Sequence, residues 1–93
     1  MTYKWNANKQ GNWQFLEMYD YVEDDGMPRM ETRVLGGANY NGDYWMAWAM
    51  EDHHRLTLRS RIRVEDAKDD VMMFLQQRGL MSVAPSEFDA SVK

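Results

Sequence analysis

The chain of 93 residues contains no cysteine. This excludes disulfide bonds and every metal or redox site that needs a thiolate, and it is typical of proteins in a reducing cytoplasm. No apolar run approaches the roughly 18 residues that a membrane-spanning helix needs. The N-terminal sequence Met-Thr-Tyr-Lys-Trp-Asn also lacks the apolar stretch of a signal peptide. We therefore expect a cytoplasmic protein that has no membrane segment.

Motifs for catalysis and cofactor binding are absent as well. Gly36-Gly37 is not followed by the lysine and the helix start of a phosphate-binding loop. No serine stands in the strand-turn-helix pattern of a nucleophile elbow. We expect a protein that is not an enzyme and holds no cofactor.

Two short clusters carry residue types that bind metals. His53-His54 follows Glu51-Asp52, but adjacent histidines on a tight turn point apart and rarely chelate one ion. The carboxylates of residues 23–25 lack the alternating spacing and the downstream glutamate of a calcium loop. We interpret both clusters as solvated turns and predict no metal; a small enzyme or metal protein centred on His53 and His54 is the third functional hypothesis.

The charge is mild and unevenly distributed. The 15 acidic and 11 basic side chains give a net charge of −4, which is too small for a DNA mimic and has the wrong sign for general nucleic-acid binding. Acidic residues concentrate between Glu17 and Asp25, and arginines between Arg55 and Arg63. This asymmetry favours a protein partner with a charge pattern of its own.

A chain of this length with 44% hydrophobic residues, four Trp and five Tyr is long enough for one domain with a small core. Its strongest structural pattern covers residues 43–79: a strand at 43–50, a strand at 55–63, and a helix from near Val64 to Gly79. Acidic residues open the helix, where its dipole favours negative charge, and Gly79 is a natural C′ residue.

Two predicted hairpins assign the strand residues to faces. Asn41-Gly42 is typical of a type I′ turn, which pairs Tyr40 with Asp43. In the second hairpin Met50 pairs with Arg55. Period-two alternation then predicts a helix-facing side whose small residues let the helix approach closely, and it consists of Val34, Gly36, Ala38, Trp45, Ala47, Ala49, Leu56, Leu58, Ser60 and Ile62.

The flanking segments are less clearly patterned. Residues 13–23 fit a strand better than a helix, because the turn signal at residues 24–28 and the β-prone run at 30–35 complete a strand-turn-strand unit. Residues 1–12 are expected to form a polar arm, with a short edge strand through Tyr3 and Trp5 as the alternative, and residues 84–93 a polar tail. We predict an α+β domain: an antiparallel sheet of three to four strands with one C-terminal helix packed on one face.

The other face of that sheet is the predicted site of partner binding. Aromatic residues and arginine are enriched at interface hot spots, and methionine adapts to a partner's contours. The predicted contact residues are Tyr44, Met46, Trp48, Arg55, Arg59 and Arg61. On this hypothesis Trp48→Ala abolishes binding and leaves stability nearly unchanged. Two alternatives stay open: a helical 13–23 segment covers the face, or the arginines cover the aromatics through cation–π contacts.

The arrangement of Tyr44–Trp48, Glu51–His54, Leu56–Ile62 and Glu65-Asp66-Ala67 resembles a layout of small phage-encoded proteins, among them inhibitors of bacterial RNA polymerase and anti-CRISPR proteins. The resemblance covers residues 43–79. It implies a small non-enzymatic protein that binds and blocks a host protein machine in the host cytoplasm. The alternative is a nucleic-acid-binding module in which Trp48 and Tyr44 stack on bases and the arginines contact phosphates.

Overall fold

The computed structural model describes residues 2–81. They form a five-stranded antiparallel sheet in the order β1-β2-β3-β4-β5, followed by one helix. The elements are β1 (Thr2–Ala7), β2 (Trp13–Asp24), β3 (Met27–Tyr40), β4 (Trp45–Glu51), β5 (His54–Arg61) and α1 (Val64–Gln77). The predicted α+β class, with an antiparallel sheet and a C-terminal helix, is confirmed, although the sheet has more strands than the predicted three to four. The expected tail at 84–93 lies outside the described residues.

The additional strand is β1, which was expected to be part of a polar arm. That prediction is wrong for residues 2–7, and the edge-strand alternative is correct. Tyr3 and Trp5 alternate with polar residues, so both side chains fall on one face and are only 1% and 8% exposed. They lie opposite Met18 and Leu16 of β2, which means that two large aromatic residues of the N-terminus belong to the core.

Residues 13–23 form a strand, as predicted. Residues 14–19 pair with β1 on one side, and residues 13–24 pair with β3 on the other. Strand β2 turns into β3 through Asp25 and Gly26, both with positive φ. The helical alternative is therefore wrong, and this segment does not cover the opposite face of the sheet.

The β3–β4 hairpin has a wider loop than predicted. Tyr40 pairs with Trp45 instead of Asp43, because residues 41–44 all belong to the loop. The side-chain oxygen of Asn41 accepts hydrogen bonds from the backbone N–H groups of Asp43 and Tyr44, at 3.0 and 3.1 Å, and so stabilises the longer turn.

The β4–β5 hairpin follows the prediction for half of its length. A two-residue turn at Asp52-His53, both with positive φ, sets Met50 opposite Arg55. A β-bulge then inserts one extra residue into β5, so that Trp45 pairs with Arg61. The bulge reverses the alternation beyond Leu58. Ser60 and Ile62 were predicted to lie on the helix side, but Arg61 lies there instead, opposite Trp45. Ile62 is 77% exposed.

Helix α1 packs on one face of the sheet, against β3, β4 and β5. Ala67, Val71 and Leu75 recur at helical spacing and are fully buried. The helix ends at Gln77 with Arg78 as its C-cap, and Gly79 is the C′ residue, as predicted. The φ of Gly79 is +69°, and the N–H of Leu80 donates to the carbonyl of Leu75 at 2.8 Å. We call the sheet surface under α1 the helix face and the opposite surface the outer face.

Candidate interaction surface on the outer face

The register brings residues of four strands together on the outer face. Phe15 of β2, Gly37 of β3, Trp48 of β4 and Thr57 of β5 form one row across the sheet. A neighbouring row contains Trp13, Asn39 and Met46, and Arg55 follows Trp48 diagonally on β5. Within residues 2–81, the only helix lies on the other face.

The structure places three of the six predicted contact residues here. Met46, Trp48 and Arg55 are on the outer face, whereas Tyr44 lies in the loop before β4, where its N–H is bonded to Asn41. The prediction that Arg59 and Arg61 share this face is wrong. The β5 bulge directs both toward α1, which covers the helix face.

Arg59 and Arg61 contact the carboxylate of Asp70 in α1. The Arg61 guanidinium makes two bonds, from Nε at 2.6 Å and Nη2 at 2.9 Å, and Arg59 Nε lies 3.4 Å away. The hydrogen bond from Arg61, and secondarily that from Arg59, lowers the pKa of Asp70, while the bond to Asp70 raises the pKa of Arg61. These arginines therefore attach the helix to β5.

Trp48 is the centre of the outer face but offers little surface of its own. It is 5% exposed, because the Arg55 guanidinium lies 4.1 Å from its ring centroid and Phe15 packs edge-on at 6.2 Å. Its indole Nε1 is buried without a hydrogen-bond partner in the described part of the chain. The expectation that Trp48→Ala leaves stability unchanged therefore needs correction: truncating a buried Trp typically costs about 3–5 kcal/mol.

The cation–π alternative is correct for Arg55, which covers Trp48. The same guanidinium lies 5.8 Å from the ring centroid of Trp13. Arg55 itself stays exposed, and its Nη2 approaches Asn39 Oδ1 at 3.5 Å. An arginine held against two indoles is restricted to few conformations and is ready to pair with a carboxylate or phosphate.

Trp13 and Phe15 are contact candidates that the sequence interpretation missed. Their rings stack at 5.8 Å with an interplanar angle of 16°, and both are half-buried. The signal that identifies them is the parity of β2: Leu16 points to the core, so Trp13 and Phe15 point to the outer face. We call Trp13, Phe15, Trp48 and Arg55 the aromatic cluster.

Another exposed surface lies on the hairpin of β2 and β3. Pairing between β1 and β2 stops at Tyr19, and pairing between β3 and β4 starts only at Gly36. Within the part of the chain that the structure describes, residues 20–31 consequently pair only with each other, and we call them the ribbon. The ribbon carries three strongly exposed apolar side chains, Tyr21 at 65%, Met27 at 70% and Met30 at 56%.

The clusters with metal-binding residue types lie at the β2–β3 and β4–β5 hairpin turns and the strand ends beside them. His53 is the second turn residue between β4 and β5, and His54 begins β5; both are exposed. Among residues 2–81, no group of three or more His, Asp or Glu is arranged to hold a metal ion.

Comparison of the chain with protein-family models, with curated proteins and with solved structures gives no match. In the described part of the chain, no helix combines the length and the apolar character needed to cross a membrane.

Proposed function

We propose that this is a small non-enzymatic binding protein whose partner, another protein, contacts the outer face around the aromatic cluster. One observation carries the proposal: Trp13 and Phe15 stack, half-buried, beside the exposed Arg55, and the helix lies on the opposite face. Aromatic residues and arginine supply most of the energy at protein interfaces.

Each side chain has a distinct role in this proposal. Trp48 is a buried support that fixes Arg55 from below through the 4.1 Å contact. Arg55 then pairs with a carboxylate of the partner without first losing much side-chain freedom. Trp13 and Phe15 supply apolar area, and Met46 of the neighbouring row adapts to the partner's shape.

The resemblance of residues 43–79 to small phage-encoded inhibitors supports a more specific proposal. We propose that the partner is a host protein machine, either a defence complex or the transcription apparatus, and that binding in the host cytoplasm blocks it. Steric blocking requires affinity and no chemistry, which suits a chain without a catalytic motif.

The test is affinity capture from the native host with wild-type protein, Trp13→Ala and Arg55→Ala. Each substitution is expected to weaken capture of the partner at least about tenfold, since hot-spot truncations cost about 2 kcal/mol or more. Met73→Ala is the matched control, because Met73 is a 55% exposed apolar residue on α1. Equal capture by wild type and both outer-face variants, or loss with Met73→Ala, contradicts the proposal.

Nucleic-acid binding is the second candidate, and the stacked pair of Trp13 and Phe15 next to Arg55 is the observation that favours it. Aromatic platforms of this kind stack on bases, and an adjacent arginine contacts phosphate. Titration with single-stranded DNA and RNA at two salt concentrations separates the candidates. Tight binding that weakens steeply with salt would replace the protein partner with a nucleic acid.

A further inference from the structure

The ribbon extends beyond the body of the molecule. Five residue pairs, from Asp20 opposite Glu31 to Asp24 opposite Met27, have no neighbouring strand on either side among residues 2–81. At the usual rise of a strand, these pairs extend for about 15 Å. The three axes of the described part of the chain measure 49, 29 and 24 Å. A two-stranded ribbon is at best marginally stable in water. A partner that covers it would therefore stabilise its folded conformation.

The ribbon accounts for the net negative charge of the protein. Its 12 residues include five carboxylates and one basic side chain, Arg29, so its formal charge equals the net −4 of the entire chain. Asp20 and Glu31 lie directly opposite each other, and like charges in that position destabilise a strand pair. Arg29 offsets part of this repulsion through a 2.8 Å ion pair with Glu31. The pattern favours cationic groups on whatever contacts the ribbon.

Apolar side chains stand among these charges. Tyr21 and Met30 form a directly opposed pair, and Met27 lies at the tip. All three are more than half exposed. Alternation puts Tyr21 and Met30 on one face of the ribbon together with Glu23, and Met27 on the other face together with Asp20 and Glu31. Each face therefore combines apolar and acidic side chains and is complementary to an apolar surface framed by basic residues.

We propose that the ribbon inserts into a groove of a partner protein whose floor is apolar and whose rim carries lysine and arginine. The ribbon of a second copy is a poor occupant, because pairing two ribbons brings their carboxylates together. Nucleic acids and anionic lipid surfaces are disfavoured for the same electrostatic reason. The ribbon is a surface separate from the aromatic cluster, so this proposal does not depend on the function proposed above.

The first experiment places a photoreactive residue on the ribbon of the full chain, as Tyr21→p-benzoylphenylalanine, with Met73→p-benzoylphenylalanine on α1 as the control. After irradiation in the cells in which the protein is naturally produced, we expect an adduct from position 21 and none from position 73. The cross-linked peptide should contain apolar residues and more Lys and Arg than Asp and Glu. An adduct with a second copy, a nucleic acid, a lipid or an acidic peptide overturns the proposal, as does the absence of an adduct at position 21.

The second experiment measures the affinity of the cross-linked protein for charge variants. Asp20→Asn combined with Glu31→Gln should weaken binding about tenfold at low salt, and the loss should shrink at high salt because screening weakens the attraction. Glu65→Gln combined with Asp69→Asn removes the same charge from exposed positions of α1 and should leave affinity unchanged. Unchanged affinity of the ribbon variant overturns the proposal.

Trp13→Ala in the same assay separates the two proposals. If Trp13→Ala weakens binding and the ribbon variant does not, the outer face binds the partner and the ribbon proposal fails. If the ribbon variant weakens binding and Trp13→Ala does not, this partner binds the ribbon and not the outer face.

Discussion

At the scale of single residues, two adjacent glycines determine what can pack on either side of β3. A Cβ on Gly36 would lie 2.7 Å from Val71 Cγ1, so the absence of a side chain lets α1 approach the sheet. A Cβ on Gly37 would lie 2.6 Å from Trp48 Cζ2 and 2.5 Å from the carbonyl oxygen of Gln14. Gly36 therefore allows α1 to pack closely on the helix face, and Gly37 allows the Trp48 indole to pack closely on the outer face.

We predict that Gly37→Ala destabilises the protein by about 1–3 kcal/mol, the usual cost of overpacking. The added Cβ would contact both the Gln14 carbonyl oxygen and the Trp48 ring. Because the carbonyl belongs to the backbone of β2 and cannot easily move aside, the β3 backbone and the Trp48 ring must both shift. Denaturant unfolding measures the cost, and tryptophan fluorescence reports the displaced ring.

Ser60→Ala is the matched control for Gly37→Ala, because Ser60 is exposed on β5 and opposes Met46. It should change the free energy of unfolding by less than about 0.5 kcal/mol. If Gly37→Ala is as mild as this control, Trp48 is not seated on Gly37 in the way the structure shows.

The sequence assigns a packing role to only one of these two glycines. Alternation of residues along β3 put Gly36 on the helix face, where small residues were expected. The role of Gly37 depends on the Trp48 ring packing against it, and that ring also contacts Arg55 and Phe15 on other strands. Contacts between three strands cannot be derived from a pattern along one of them.

At the scale of elements, the accuracy of the face assignments depends on whether a register error is even or odd. The β3–β4 hairpin differs from the prediction by two residues, so Ala38, Ala47 and Ala49 still lie on the predicted face. The β5 bulge changes the register by one, so Arg59 and Arg61 move to the opposite face. Side chains alternate with period two, and only the odd shift exchanges the faces.

The ends of α1 were predictable because they depend on local chemistry. Glu65 and Asp66 occupy the first turn, and Gly79 adopts the left-handed conformation that closes the last. The bulge in β5 has no such local signal. Its consequence is visible only across the sheet, where Arg61 reaches Asp70 and binds the helix to the last strand.

This attachment of α1 to β5 predicts a pH dependence. Hydrogen bonds from Arg61 and Arg59 lower the pKa of Asp70 in the folded protein. The resulting stabilisation is fully present above the unfolded-state pKa, about 3.9 for Asp, and is lost as the pH falls through the lower folded-state pKa. Asp70→Asn should therefore be less stable than wild type near neutral pH, and the difference should shrink progressively below about pH 4.

Urea unfolding of both proteins across this pH range measures the effect. Asp69→Asn removes the same charge from the adjacent, exposed position of α1 and controls for the change in net charge. A difference between wild type and Asp70→Asn that stays constant down to the lowest pH would show that the ion pair is not its source.

At the scale of the whole molecule, packing is concentrated at one end. Helix α1 and the five strands meet around the buried side chains of residues 35–49, whereas residues 25–34 of β3 and its turn are all exposed. The turn signal at residues 24–28 correctly predicted the hairpin. The hairpin projects because β1 pairs with β2 only as far as Tyr19 and β4 pairs with β3 only from Gly36. Those limits depend on contacts between residues that are distant in sequence.

The uneven packing predicts uneven hydrogen exchange along a single strand. Backbone amides of residues 36–40 in β3 lie between β2 and β4, whereas those of residues 27–31 have β2 as their only neighbouring strand among the described residues. Local opening of the ribbon exposes little apolar surface and should need much less free energy than global unfolding. We expect exchange in the hydrogen-bonded part of residues 20–31 to be at least about 100-fold faster than at residues 36–40, measured by NMR at neutral pH.

The comparison within β3 is its own control, because both halves belong to the same strand and experience the same solution. Equal protection along all of β3 would contradict the expectation, since it would mean that the ribbon opens only when the entire sheet unfolds. If the ribbon is instead the labile part, a partner that binds it must restore protection there selectively. Slowed exchange at residues 20–31, with no change at residues 36–40, is then the signature of a groove closing around the ribbon.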